Sequence, residues 1–130
     1  PVISDDSGLC IKALSNKPGI HSARLAKKKG SFLKAMKFIL KKLDKKKNRS
    51  ATFVSSLSFK STNGKIISVE GKLKGRISNK ILGNNGFGYD SIFVPEKSKK
   101  TFGQISQFKK IKMDHRYIAF KKLKKKVKIL

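Results

Sequence analysis

At 130 residues the chain can bury one hydrophobic core and is too short for two ordinary domains, so a single domain over residues 1–130 is expected. Its 33 Lys and Arg against 7 Asp and Glu leave a formal charge of +26, a field that draws polyanions and keeps nucleotides, nucleic acids and anionic membranes in view as partners. The single cysteine, Cys10, excludes an intramolecular disulfide and fits a reducing cytoplasm, and no apolar run approaches the ~18 residues of a membrane span.

Val2-Ile3-Ser4 and Leu9 to Leu14 read as short extended segments on either side of an acidic turn, Asp5-Asp6-Ser7-Gly8, and Asn16-Lys17-Pro18-Gly19 then breaks the chain. From Ser31, a plausible N-cap, the apolar residues Phe32, Ala35, Met36, Ile39, Leu40 and Leu43 follow a helical stripe with Lys on the outer face. Ala51 to Lys60 alternates Phe53, Leu57 and Phe59 with polar neighbours. Asn63-Gly64 is a hairpin signal before a second strand at Lys65 to Val69. A glycine-rich stretch, Gly83 to Asp90, leads into a strand at Ile92-Phe93-Val94 that Pro95 ends. Asp114 to Lys126 reads as a Lys-rich amphipathic helix carrying Tyr117, Phe120 and Leu123.

Most of the positive charge is lysine, in runs such as Lys27 to Lys29, Lys45 to Lys47 and Lys124 to Lys126. Arginine, the residue suited to planar bidentate recognition of phosphate or bases, occurs only at Arg24, Arg49, Arg76 and Arg116. Lysine bias on solvated faces accounts for that distribution better than a dedicated nucleic-acid surface, so nucleic acid is not a required partner.

Three groups of residues have chemistry to offer. Asp5 and Asp6 with Ser7 and Gly8 combine carboxylates, a hydroxyl and open backbone, which suits Mg²⁺ bound through one or two carboxylates plus substrate phosphates; an Asx-type turn reads equally well. In an extended chain the two carboxylates point to opposite faces, so at most one meets a substrate. Gly86-Phe87-Gly88-Tyr89-Asp90 lets backbone approach a ligand while Phe87 offers a ring for stacking, though a turn with Phe87 and Tyr89 in the core fits the same letters. Lys110, His115 and Arg116 supply donors that match the O6 and N7 acceptors of a 6-oxo purine.

Ser4 to Leu9, Pro18 to Arg24, Gly86 to Asp90 and Lys110 with Asp114-His115-Arg116 stand in the order and at the spacing of one family, and the sequence resembles the inosine triphosphate pyrophosphatases, also described as xanthosine/deoxyinosine triphosphate diphosphatases. The resemblance implies an α/β fold with an elongated, mixed central sheet and flanking helices. It also implies a Mg²⁺-dependent hydrolase, a homodimer, that splits noncanonical purine triphosphates into monophosphate and pyrophosphate in the cytoplasm. By the same resemblance Asp6 is the metal ligand and proton acceptor, and Ser7, Phe87, Gly88, Tyr89, Asp90, Lys110, His115 and Arg116 bind substrate. It further implies that the sequence spans roughly the last two thirds of a family member, the missing portion being an opening strand and helix with a Thr/Ser-x-Asn-x-x-Lys phosphate loop and a further metal-site glutamate. Asp114, Ser91 and Gln104 replace the Ser, Pro and Glu usual in the family; the first is expected to bear on base contacts and the other two on structure.

Overall fold

The computed structural model describes residues 1–128. Its centre is a five-stranded sheet in the order β2-β1-β3-β4-β5, built from β1 (Val2–Ile11), β2 (Lys17–Gly19), β3 (Ser50–Lys60), β4 (Ile66–Ile77) and β5 (Phe93–Pro95). Every pairing among the described residues is antiparallel. The helices are α1 (Ser22–Lys29), α2 (Phe32–Lys42), α3 (Gln107–Lys110) and α4 (His115–Lys128). This is the α/β fold with a central sheet and flanking helices that the resemblance implies, the sheet being antiparallel throughout the described residues where a mixed one was expected.

The long β3–β4 hairpin turns at Asn63-Gly64, as its sequence dictates, with Gly64 at φ 85°. Ser31 caps α2 by accepting a hydrogen bond from the Lys34 amide at 3.1 Å. The acidic segment departs from the sequence reading. Asp5 to Gly8 is no turn but the middle of a ten-residue strand, in register with Leu57 to Val54 of β3. The Ser and Gly residues that suggest a turn are tolerated because β3 supplies a full ladder of partners opposite them. Helix α1 and the short α3 have no counterpart in the sequence reading: α1 is too short and too lysine-rich for its stripe to stand out.

Strand alternation decides what faces what. Leu9 and Ile11 of β1, Ala51, Phe53 and Leu57 of β3, and Val69 and Ile77 of β4 are buried on one face. One cluster packs Leu9, Ile11 and Phe53 against Ala26, Ala35, Met36 and Ile39 of α1 and α2; a second packs Leu57 and Val69 against Ala119 and Leu123 of α4. All three longer helices thus cover the same face. The other face carries Asp6, Cys10, Thr52, Val54, Ser56, Glu70 and Lys72, none of them buried.

Gly71 sets how closely α4 can approach. A Cβ there would collide with the Ala119 amide nitrogen and the His115 carbonyl oxygen. The first turn of α4 therefore lies directly on the backbone of β4, which brings His115 and Arg116 over the sheet.

Candidate active site

The site forms where three backbone devices converge. The first is β1, whose alternation directs Asp5 and Ser7 to the helix-covered face. The second is the glycine loop before β5, where Gly86 (φ 78°) and Gly88 (φ 62°) adopt left-handed conformations that place Phe87 at the surface and Tyr89 in the core. The third is the N-terminus of α4. Asp114 accepts a hydrogen bond from the Tyr117 amide at 2.9 Å and so caps the helix, and it is buried.

Ser7, Phe87, Gly88, Tyr89, Asp90, His115 and Arg116 line one cavity of about 140 Å³. Seven of the nine residues expected from sequence are therefore brought together from three segments. Gly8, Leu9, Ser22, Ala23, Phe32 and Phe53 complete the wall. Phe32 and Phe53 read in the sequence as core residues, and Ser22 stands there in the Pro18 to Arg24 block with no role of its own.

Asp90 organises the loop. Its Oδ2 accepts from the Phe87 amide at 3.1 Å and from Lys110 Nζ at 2.6 Å, and both members of this ion pair are almost fully buried. Lys110 Nζ also lies 4.5 Å from the centroid of the Phe87 ring. Lys110, expected to touch substrate, is thus committed to the inside of the loop and supports Phe87 from behind. The Phe87 ring is 61% exposed, with the Arg116 guanidinium carbon 5.3 Å from its centroid. Tyr89 donates its hydroxyl to the Ser22 carbonyl at 2.6 Å and packs edge-on to Phe32, and burial pushes its pKa up to about 12.

Arg116 is held from the opposite side of the site: its Nε donates to Asp5 Oδ2 at 2.8 Å. Asp5 Oδ1 accepts from the Ser55 hydroxyl at 3.1 Å and the Ser7 hydroxyl at 3.2 Å. Partial burial pushes the Asp5 carboxyl upward, but the Arg116 bond and charge together with the two hydroxyls outweigh it and hold the pKa below the usual carboxylate range. The sequence offered Asp5 only as one of two candidate carboxylates for a metal, and its pairing with Arg116 was not foreseen, although its two-residue spacing from Ser7 already put both on one face.

His115 stacks on Phe53 with ring centroids 4.7 Å apart and 14° between planes. Burial drives its pKa down to about 4, Asp114 opposing the shift and Arg116 and Lys110 reinforcing it. The imidazole is neutral at physiological pH, and its buried Nδ1 has no hydrogen-bond partner among the described residues. An uncompensated buried nitrogen beside a cavity is suited to a ligand's polar edge.

Asp6 is placed differently from the rest. It projects to the bare face of the sheet and, with Ser7, Gly8, Ser56, Glu70 and Lys72, lines a neighbouring groove of about 340 Å³. Glu70 is in line with Asp6 through Ser56, two strand spacings away across the sheet, and lines the same groove. Among the described residues no group of three His, Cys, Asp or Glu gathers to hold a metal. The donor set fits Mg²⁺ as an ion held by one or two carboxylates of this groove, Asp6 first among them, and completed by substrate phosphates. The other two departures from the family pattern are structural: Ser91 Oγ donates to the Gly83 carbonyl at 2.8 Å, and Gln104 Oε1 accepts from the Thr101 amide at 3.0 Å. No helix among the described residues is long and apolar enough to cross a membrane.

The model of the Ham1 family matches residues 1–126. The dITP/XTP pyrophosphatase of Caulobacter vibrioides is 43% identical over 95% of this chain and 65% of its own length, and that of Saccharolobus solfataricus is 46% identical over 94% of this chain and 60% of its own length. The Ham1 protein of Staphylococcus aureus superposes with a TM-score of 0.91 at 37% identity, over 98% of this chain and 66% of its own. The chain thus spans 60 to 65% of the length of these two curated relatives. A family match over nearly every residue, joined to one fold and one site drawn from distant segments, establishes that the chain belongs to the Ham1 family.

Proposed function

We propose that this chain carries the base-recognition residues and the catalytic carboxylate of a nucleoside triphosphate pyrophosphatase that hydrolyses noncanonical purine nucleotides, the inosine, deoxyinosine and xanthosine triphosphates. The observation that carries the reading is the convergence of Ser7, Phe87 to Asp90, His115 and Arg116 on one cavity that shares Ser7 and Gly8 with the groove that Asp6 lines. The activity named for the two pyrophosphatase relatives agrees with it.

In this reading the purine stacks on the exposed Phe87 ring. Arg116, aimed by Asp5, donates to O6 and N7, the two acceptors that a 6-oxo purine presents side by side; adenine carries an amino donor at position 6 and leaves the guanidinium unmatched. Neutral His115 meets the base edge through Nδ1. Ser7 donates to a phosphate oxygen at the border of the two grooves. Asp6, on the adjoining face, accepts a proton from water as the water oxygen bonds to the α-phosphorus; the bond to the bridging oxygen breaks and pyrophosphate leaves. Asp6 would hold Mg²⁺, which would supply charge neutralisation and polarise the phosphoryl oxygens. The protein works as a cytoplasmic homodimer and requires no nucleic acid.

The test is hydrolysis of inosine triphosphate by the protein with Mg²⁺, following both products. Equal amounts of inosine monophosphate and pyrophosphate are expected, with near loss in Asp6→Asn. Release of orthophosphate instead, or undiminished turnover in Asp6→Asn, would remove the assignment.

A further inference from the structure

Four blocks of sequence carry the family resemblance, and the nucleotide reading takes residues from only three of them. The fourth, Pro18 to Arg24, holds Ser22, the first residue of α1, which is 6% exposed and lines the nucleotide cavity. Its hydroxyl stands between β1 and β2, accepting from the Leu9 amide at 2.9 Å and donating to the Gly19 carbonyl at 2.7 Å. Its own carbonyl accepts from the Tyr89 hydroxyl at 2.6 Å.

Each of these three bonds holds a different wall. Leu9 follows Ser7 and Gly8, the two residues shared by the nucleotide cavity and the Asp6 groove. Gly19 lines the Asp6 groove and lies so close to Gly8 that a Cβ there would collide with the Gly19 carbonyl oxygen. Tyr89 belongs to the glycine loop that presents Phe87. Among the described residues, its bond to Ser22 is the one hydrogen bond that ties residues 86–90 to β1, β2 or α1; the others run within the loop or to Ile92, Gly103 and Lys110. A serine hydroxyl has a single proton, and that of Ser22 is given to Gly19, so none is left to donate to a substrate. Its contribution is therefore geometric, and geometry is worth much here: groups misplaced by about 1 Å can lose roughly a hundredfold in rate.

We propose that Ser22 is a positioning residue that fixes the spacing between the base-stacking loop and the Asp6 to Gly8 strand, an inference that rests on the nucleotide reading of the two grooves. A ligand spanning both halves of the site depends on Ser22, and a ligand occupying the base half alone does not.

The experiment compares two probes by NMR titration of backbone amides in the presence of Mg²⁺. One is inosine; the other is inosine triphosphate with a methylene group in place of the α,β bridging oxygen, which is not hydrolysed there. Ser22→Ala should weaken the triphosphate analogue about tenfold and inosine less than about twofold, and Ser22→Thr, which keeps the hydroxyl, should restore the analogue. Tyr89→Phe cuts the same tie from the loop side and should also weaken the analogue more than inosine, which keeps the test decisive if Ser22→Ala does not fold. The control is Ser78→Ala, which removes a buried hydroxyl bond of equal length, to the Lys80 carbonyl at 2.7 Å, outside both grooves and should change neither affinity. The same spectra report whether each variant is folded. Equal weakening of both probes, weakening of neither, or the same effect from Ser78→Ala would overturn the role of Ser22. A chain that binds both probes as expected but does not hydrolyse inosine triphosphate loses the pyrophosphatase reading and keeps Ser22 as positioned; one that hydrolyses it with Ser22→Ala unaffected does the reverse. Binding of neither probe by the unaltered chain overturns both.

Discussion

Arg116 and Asp5, 111 residues apart in sequence, meet with Nε 2.8 Å from Oδ2, and this bond aims the guanidinium along the edge of the cavity beside Phe87. Both side chains are partly exposed, so the pair contributes no more than about 1 kcal/mol to folding. Its effect belongs to orientation. Asp5→Asn is expected to leave the unfolding midpoint in urea nearly unchanged while raising the KM for inosine triphosphate about tenfold, roughly 1.4 kcal/mol of lost positioning. A large stability loss with unaltered KM would place Asp5 in the scaffold instead.

Lys110 and Asp90 present the opposite case, a pair sealed in the core of the glycine loop. Lys110→Ala strands a buried carboxylate and should cost about 3–5 kcal/mol, measured by denaturant unfolding. The double variant Lys110→Met with Asp90→Asn removes both charges and should recover part of that loss. A double variant as unstable as the single one would mean that packing, not charge, dominates here.

His115 gives the fold an acid-sensitive element. Its folded pKa of about 4 lies below the ordinary 6.5, so the unfolded chain binds the proton more readily. The neutral imidazole's contribution is complete above pH 6.5, declines as pH falls through the window from 6.5 to about 4, and is exhausted below it. As much as about 3 kcal/mol is lost across that range. Replacing the ring by Phe should flatten this part of the stability profile. The difference between wild-type and His115→Phe curves, measured at closely spaced pH values, separates it from the titration of carboxylates.

Gly71 is the seat of α4. Gly71→Ala forces a methyl group into the backbone at His115 and Ala119 and should destabilise by about 1–3 kcal/mol while weakening nucleotide binding, because the turn that carries His115 and Arg116 must lift. Lys74→Ala, three residues on, exposed and outside both the nucleotide cavity and the Asp6 groove, is the control and should do neither. Thermal unfolding with a parallel KM measurement decides it.

Much of this arrangement is legible in the linear chain. Local rules place the Ser31-capped helix, the Asn63-Gly64 hairpin, the strand ending at Pro95 and the lysine-rich C-terminal helix, because each depends on neighbours within a few residues. The residue types that line the cavity are also recoverable, since Ser7, Phe87 to Asp90, His115 and Arg116 stand in ordered blocks of distinctive spacing.

Other features needed the assembled structure. Asp5 to Gly8 has the letters of a turn, and only the β3 partners across from it make it strand. That one change sorts the two carboxylates: Asp5 turns towards Arg116 and Asp6 towards the bare face, an alternation the sequence permits but cannot orient. Lys110 looks like a ligand-binding lysine until the loop folds over it and gives its charge to Asp90. The sequence determines which groups are available, through local geometry and residue chemistry. Which of them face each other is decided by long-range strand register and by the close seating of α4 on Gly71, contacts between residues too far apart in the chain for local pattern to report.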